Sequence, residues 1–534
     1  MNKATGAMAG ILAGLLSVQG CATGERPPGP SPTGSSAGAG AGKGAGAGPD
    51  STAGTPSPAS SPGVGTALGV RPLAVGERVR VELTALDRVS PRRVVARLRV
   101  RNDQDEEYVF GASLSIPWNS TRVNSNNIGG VSLVDGKNGK RYFPLGYRDL
   151  SCLCTRGWPR IKPHASVDLV AVFPAPAADV THLDVLFPPA PPFLDIPLGS
   201  ARPEPLTVDD SGNDPVDPDS ARAGAPEVLS LVEQVDDAVK SRDDDGERLT
   251  VRLSTDVLFA VNKAKLTARA RQALQQVAAE IDRSPGDRVT IEGHADSTGT
   301  DAINDPLSTR RARSVRAALG RLVTRSGLDY RVRGYGSHRP IADNDNAEGR
   351  RVNRRVSVIF ARPRPAATPV PVPPTRSSGR TGQAGLPVIG TAPAGSAPWI
   401  IGPEYWPKRA EVRINELKRD MYGYVALTWT VRNDDERPLN VWSSSHDHSG
   451  LYAEVTTSTS AAFLADGDRR YRALRDDRIR LALGPNLHST DRDQYLVEKG
   501  EEYTLWAMFK LPSQTARVTV HIPGFQPVAE VPVS

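Results

Sequence analysis

The chain has 534 residues, 38% apolar and 24% charged, with 49 Gly, 46 Pro and 3 Cys. That length exceeds one hydrophobic core and predicts several domains; the composition excludes a wholly disordered chain or a membrane channel, and three cysteines exclude a disulfide framework. The formal charge of +6 favours anionic surroundings, but much of the excess lies between Arg310 and Arg355. No zinc-finger spacing, aromatic RNP-like strand or basic-leucine heptad accompanies it, so no nucleic-acid partner is expected.

Lys3 followed by the apolar stretch Ala7 to Val18 has the form of a signal peptide, too short to span a bilayer. Val18-Gln19-Gly20-Cys21 resembles a bacterial lipobox. The resemblance implies that residues 1–21 are an export signal ending in a lipidated Cys21, which would anchor the protein to a lipid membrane outside the cytoplasm: an outer membrane or the outer face of the plasma membrane. Residues 22–69 are mostly Gly, Ala, Ser and Pro. With so few apolar side chains they cannot offset their ordering entropy, and a flexible tether is expected.

Residues 70–200 read as short alternating strands: Val94, Ala96, Leu98 and Val100 on one face, Arg97 and Arg99 on the other. Cys152-Leu153-Cys154 supplies two thiols, too few for a zinc site, and the sequence leaves open whether they pair. A Pro-rich, acidic linker is expected at 201–223.

Residues 224–362 change pattern. Arg252 to Phe259 reads as a strand, and Thr267 caps a helix with Ala270, Leu274, Val277 and Ile281 inward. Val289 to His294 reads as a strand. Ser308 is read as the cap of a second helix with Ala312, Val315, Leu319 and Leu322 inward, and strands Tyr330–Tyr335 and Arg355–Phe360 complete an α/β layer. Asp296 then lies just past a strand end, and Arg311 in the first turn of a helix, fifteen positions on. A carboxylate beside a guanidinium forms a dipolar receptor for a small zwitterion, with free helix N–H groups adding to the pull on an anion. Taken structurally, the same two residues could instead form an internal salt bridge pinning loop to helix. His294 has no nucleophile or paired carboxylate beside it and reads as a packing residue.

The specific signal is the ordered set Asp256-Val257-Leu258-Phe259, Gly293-His294-Ala295-Asp296-Ser297-Thr298-Gly299, Asn304, Leu307-Ser308-Thr309-Arg310-Arg311-Ala312, Gly334-Tyr335-Gly336, Pro340-Ile341-Ala342-Asp343-Asn344, Glu348-Gly349-Arg350 and Asn353-Arg354-Arg355-Val356. Together these motifs resemble the OmpA-like C-terminal, peptidoglycan-binding domain family. The resemblance implies binding of diaminopimelate in peptidoglycan stem peptides. It also implies roles for Thr298 and Asn304 on the loop side of the pocket and for Arg354 approaching from the last strand. Ala260-Val261-Asn262 departs from the family pattern and leaves the pocket rim open.

A Pro/Gly/Ser linker is expected at 363–397. In 398–534, Val425, Leu427, Trp429 and Val431 run into Arg432-Asn433-Asp434 as Val100 runs into Arg101-Asn102-Asp103. Phe173 and Pro176 match Phe509 and Pro512 at one offset; Pro188 and Pro197 match Pro523 and Pro532 one residue shorter. Such collinear spacing predicts that the outer blocks are copies of one β-sandwich, immunoglobulin-like in architecture. His446 and His448 sit in a loop-like stretch and are not taken as ligands.

The expected fold is therefore a central OmpA-like α/β domain between two related all-β domains. The expected function is that of a non-enzymatic envelope lipoprotein binding peptidoglycan, with no cofactor and no metal. The alternative is an adhesion, secretion or signalling scaffold whose β-domains hold an envelope protein partner. A wall-remodelling enzyme lacks a visible catalytic constellation.

Overall fold

The computed structural model describes residues 67–110, 114, 127–146, 152–157, 160–202, 204–206, 217–219, 226–237, 239–363, 386–396, 406–441, 459–478, 482–485 and 496–534. The expected signal segment with Cys21, the tether up to residue 66, and His446 and His448 lie outside the described residues. No helix among the described residues is long and apolar enough to cross a membrane.

In the first β unit, Gly76–Ser90 pairs antiparallel with Arg93–Asn102, which pairs with Ala165–Pro174. A second run orders Phe193–Pro197, His182–Leu186, Ser132–Asp135 and Lys140–Tyr142. Alternating apolar residues of both, among them Val81, Leu98, Phe173, Leu133, Val185 and Phe193, close one core. Cys152 and Cys154 are buried in that core and joined as a disulfide.

The third β unit repeats this plan from Ala410–Arg419, Tyr424–Asn433 and Glu502–Lys510 with Phe463–Asp466, Arg469–Arg472, Arg517–His521 and Val528–Pro532. The registers coincide. Val94 faces Phe173 and Val425 faces Phe509; Leu183 faces Ile196 and Val518 faces Val531. Even the left-handed residues match, Asp195 at φ 54° and Glu530 at φ 57°. The fully buried Asn102 donates from Nδ2 to the carbonyls of Glu106 (2.8 Å) and Ile161 (3.0 Å). Asn433 does the same to Arg437 (2.7 Å) and Val497 (2.8 Å). Ala482 and Gly484 flank Leu483, whose backbone bonds are those of Leu153, so the cysteine pair has no counterpart.

The central domain comprises β1 (Val228–Asp236), β2 (Lys240–Asp244), β3 (Arg248–Ser254), α1 (Thr255–Leu258), α2 (Ala268–Arg283), β4 (Arg288–Gly293), α3 (Asp301–Leu322), β5 (Asp329–Gly334), α4 (Ala347–Asn353) and β6 (Arg355–Ala361). Its sheet runs β1-β2-β3-β6-β4-β5, parallel only between β4 and β5. The Thr267 hydroxyl accepts from the amide of Ala270 and caps α2, whose Ala270, Leu274, Val277 and Ile281 are buried. They pack with Val289, Ile291, Val315 and Leu319 over the sheet.

Several expectations need correction. The strand expected over Arg252–Phe259 stops at Ser254, and Thr255–Leu258 forms one helical turn that begins where the Thr255 amide bonds to the Arg354 carbonyl. The helix expected from Ser308 starts at Asp301, with Pro306 inside it. Pro306 forgoes one backbone bond, but the early turn is held by buried Asn304, which donates to the carbonyls of Asp296 and Thr298. The linker expected to reach residue 397 contains the strand Gly390–Pro393, paired with Ala410–Arg419.

Nor are the three blocks beads on a string. One edge of β1 takes in succession Lys140–Tyr142 of the first unit, then Arg475–Asp476 and Arg469–Arg472 of the third, while its other edge pairs with β2. The junction is also ionic: buried Asp243 on β2 accepts from Arg252 (2.8 Å) and from Arg475 of the third unit (2.7 Å), and Asp236 accepts from Arg472 (2.9 Å).

Candidate functional site

Two motif glycines let α3 lie directly on the strands that carry the site. A Cβ on Gly293 would sit 2.1 Å from the Ser308 carbonyl oxygen, and one on Gly334 would sit 2.2 Å from Thr309 Oγ1. Any side chain there would push the helix away. Ser308 Oγ in turn donates to the Asp305 carbonyl and accepts from the Gly336 amide (3.0 Å), locking helix to loop.

Asp296, 5% exposed, follows β4 by three residues. Its Oδ1 accepts from the Thr298 amide (3.0 Å) and hydroxyl (2.5 Å), and its Oδ2 from Arg354 Nη1 (2.7 Å). Burial alone would raise its pKa, but the hydrogen bonds from Thr298 and Arg354 outweigh that and hold the carboxyl below the usual range. Arg354 uses the rest of its fork on Asp256, Nε at 2.9 Å and Nη2 at 2.7 Å, which with Asp296 raises its own pKa further.

Arg311, 7% exposed, is held differently. Its Nε donates to the Lys263 carbonyl (3.1 Å), just after the chain reverses at Asn262 (φ 56°), and its guanidinium lies 5.4 Å from the Phe259 ring centroid. Among the described residues no carboxylate is within ion-pair distance of it. Burial lowers its pKa, while the charges of Asp256 and Asp296 oppose that from farther off. The internal Asp296–Arg311 salt bridge is thus not formed; Arg354 is the partner of Asp296. Because α3 begins at Asp301, Arg311 stands in its third turn, and the expected help from free N–H groups at the helix start does not reach it.

Thr298 and Asn304 do gather at the Asp296 loop. Arg354 arrives from the end of α4, not from the last strand. Asp256 is the partner missed as a site residue, although its motif is among those quoted. Asn353, fully buried, is a second omission: Nδ2 donates to the Ala342 carbonyl (2.7 Å) and Asn344 Oδ1 (3.0 Å), and Oδ1 accepts from the amides of Ile341 (2.8 Å) and Ala342 (3.1 Å). Asn344 Oδ1 also accepts from the Ser297 amide (3.1 Å), so this asparagine ties α4 to the Asp296 loop. His294 is buried and stacks on Tyr335 (5.5 Å); burial depresses its pKa, as suits a packing residue. Arg354 also lines a cavity of about 570 Å³ with Arg252, Arg351 and Arg472, a cavity that Asp296 and Arg311 do not line.

The OmpA family model matches residues 258–354. Over 113 residues the chain is 38% identical to the protein YfiB of Escherichia coli K12, a match spanning 21% of this chain and 69% of that protein. The chain belongs to the OmpA family. Its OmpA domain is also 42% identical over 106 residues to outer membrane porin F of Pseudomonas aeruginosa, covering 20% of this chain and 30% of the porin. It is 39% identical over 105 residues to the peptidoglycan-binding protein ArfA of Mycobacterium tuberculosis, covering 19% and 31%. The chain therefore spans less than a third of the length of these two relatives.

Proposed function

We propose that the chain is an extracytoplasmic envelope protein that binds peptidoglycan non-covalently at the pocket of Asp296, Thr298, Asn304, Arg311 and Arg354. The observation that carries this reading is Arg311: a buried guanidinium on α3, hydrogen-bonded through Nε and, among the described residues, without a carboxylate partner. A planar fork left in that state suits a ligand carboxylate, which it can take in bidentate fashion. Asp296 accepts two bonds on Oδ1 and one on Oδ2; a carboxylate has about four acceptor sites, so one remains for a ligand ammonium. Ammonium and carboxylate together describe the free end of diaminopimelate. The peptidoglycan-binding relative supports the same ligand class.

In this reading the protein is not an enzyme, and Cys21 is acylated, so that lipid and wall are tethered by one chain. The flanking β units are read as immunoglobulin-like spacers that set the reach of the tether. Co-sedimentation of the purified protein with diaminopimelate-type sacculi tests the pocket: wild type pellets with the sacculi, and the Asp296→Ala, Arg311→Ala double variant stays in solution. A double variant that pellets as well as wild type overturns the site.

A further inference from the structure

Away from the OmpA domain, three carboxylates meet where the two β units touch. Asp184 lies in the strand His182–Leu186 and Asp195 in Phe193–Pro197, both of the first unit; Asp420 follows Ala410–Arg419 of the third. One carboxylate oxygen from each lies within 4.8 Å of the other two. Asp184 is 3% exposed and Asp420 4%.

Each carboxylate is oriented by the backbone through one oxygen. Asp184 Oδ1 accepts from the Asp195 amide (2.8 Å), Asp195 Oδ1 from the Met421 amide (3.0 Å), and Asp420 Oδ1 from the amides of Tyr422 (2.9 Å) and Tyr424 (2.6 Å). Asp184 Oδ2 is fully buried with no hydrogen-bond partner. The cations whose charge reaches Asp420 are engaged elsewhere: Lys510 Nζ donates to the Tyr422 carbonyl (2.6 Å), and Arg419 to the carbonyls of Leu511 (3.1 Å) and Thr515 (2.7 Å). A buried carboxylate oxygen without a donor costs free energy unless something positive faces it.

The duplication supplies an internal comparison. In matched registers Asp184 corresponds to Thr519, Asp195 to Glu530 and Asp420 to Val89. The third unit forms the matched strand pair with Thr519 and Glu530 in place of Asp184 and Asp195, so that pairing does not itself require the two aspartates.

We propose that Asp184, Asp195 and Asp420 bind a divalent cation of the Ca²⁺ type that clasps the first β unit to the third. The donors are all oxygen, which selects a hard cation over zinc or copper. At Ca–O distances of about 2.3–2.6 Å, three oxygens spread evenly around one ion stand about 4.0–4.5 Å apart and two on opposite sides about 4.6–5.2 Å, so a cluster of this size matches the span of one Ca²⁺. Tyr422, beside Asp420, already packs on Gly136 of the first unit: a Cβ there would sit 2.7 Å from its ring. The cation would fix a contact that packing has already begun.

The test uses the full chain stripped with chelator, then titrated with CaCl₂ or MgCl₂ at pH 7 and followed by calorimetry and by thermal unfolding. Wild type takes up one Ca²⁺ saturably, and its Tm rises. Asp184→Asn and Asp420→Asn each remain folded by circular dichroism and lose the Ca²⁺-dependent rise, whereas Glu530→Gln, at the matched position of the other unit, keeps it. If wild type shows no saturable heat and no Tm rise with either ion, or if Asp184→Asn responds as wild type does, the site is overturned. A wild-type Tm that depends on pH but not on either ion would also overturn it, since the trio would then share a proton.

Discussion

Arg354 Nη1 sits 2.7 Å from Asp296 Oδ2, and through this one bond the end of α4 is fastened to the loop after β4. The same guanidinium grips Asp256 on α1, so three segments far apart in the chain share one side chain. The carboxylate of the pocket is thus pre-aligned before any ligand arrives, and its alignment depends on a residue outside its own loop.

Arg354→Ala should therefore loosen the fold as well as the site. Hydrogen bonds to charged groups contribute about 1.5–3 kcal/mol each, and this change removes one N–H donor from a nearly buried acceptor and two from an exposed one, where solvent screening discounts the gain. A loss of about 2–3 kcal/mol in urea unfolding is expected. A loss under about 0.5 kcal/mol would mean the clamp is ornamental.

Arg311→Lys separates charge from shape. Lysine keeps the cation but cannot offer two parallel N–H groups or the Nε–H that meets the Lys263 carbonyl. Sacculus binding should fall by about tenfold or more, while Tm shifts by only a few degrees. Unchanged binding would show that a point charge is sufficient and that the planar fork is not used.

Acid should weaken the site through Asp296. Its folded pKa lies below that of the unfolded chain, about 3.9, so ionised Asp296 stabilises the fold at neutral pH. That contribution is complete above about pH 4–5 and is lost as pH falls through the lowered folded value. Wild type should be more stable than Asp296→Asn at pH 7, with the two melting curves converging towards pH 3. A difference in Tm that stays constant from pH 7 to pH 3 would contradict this assignment.

Asp243→Ala strikes the junction of the OmpA domain with the third β unit. It strands buried Arg475 and half-buried Arg252 without their shared carboxylate. Removing one partner of such a group costs about 3–5 kcal/mol. Calorimetry should also show the third unit melting apart from the OmpA domain, because the broken contact is one that couples them. A single transition at the wild-type temperature would argue that β1 pairing alone joins the units.

Much of this was legible in the chain because it is written at short range. The helical spacing of Ala270, Leu274, Val277 and Ile281, the Thr267 cap and the alternation of Val94 to Val100 report local periodicity, and the structure keeps all three. The doubled spacing of Phe173 and Phe509 reappears as register. Where a local signal misled, a contact outside the helix had overruled it: Ser308 reads as a helix cap, yet Asn304, bonded to the Asp296 loop, draws the helix start back to Asp301.

The sequence by itself determined the OmpA domain and the doubled spacing of the β units, since motif order and period survive without knowledge of the fold. Only the tertiary structure decided that Arg354 and not Arg311 pairs with Asp296, that β1 joins three units into one sheet, and that Asp184, Asp195 and Asp420 converge. The reason is physical. Periodicity records which way a side chain faces on its own element, but pairing depends on which elements lie within a few ångströms. For Asp195 and Asp420, separated by more than two hundred positions, packing of the whole chain sets that distance.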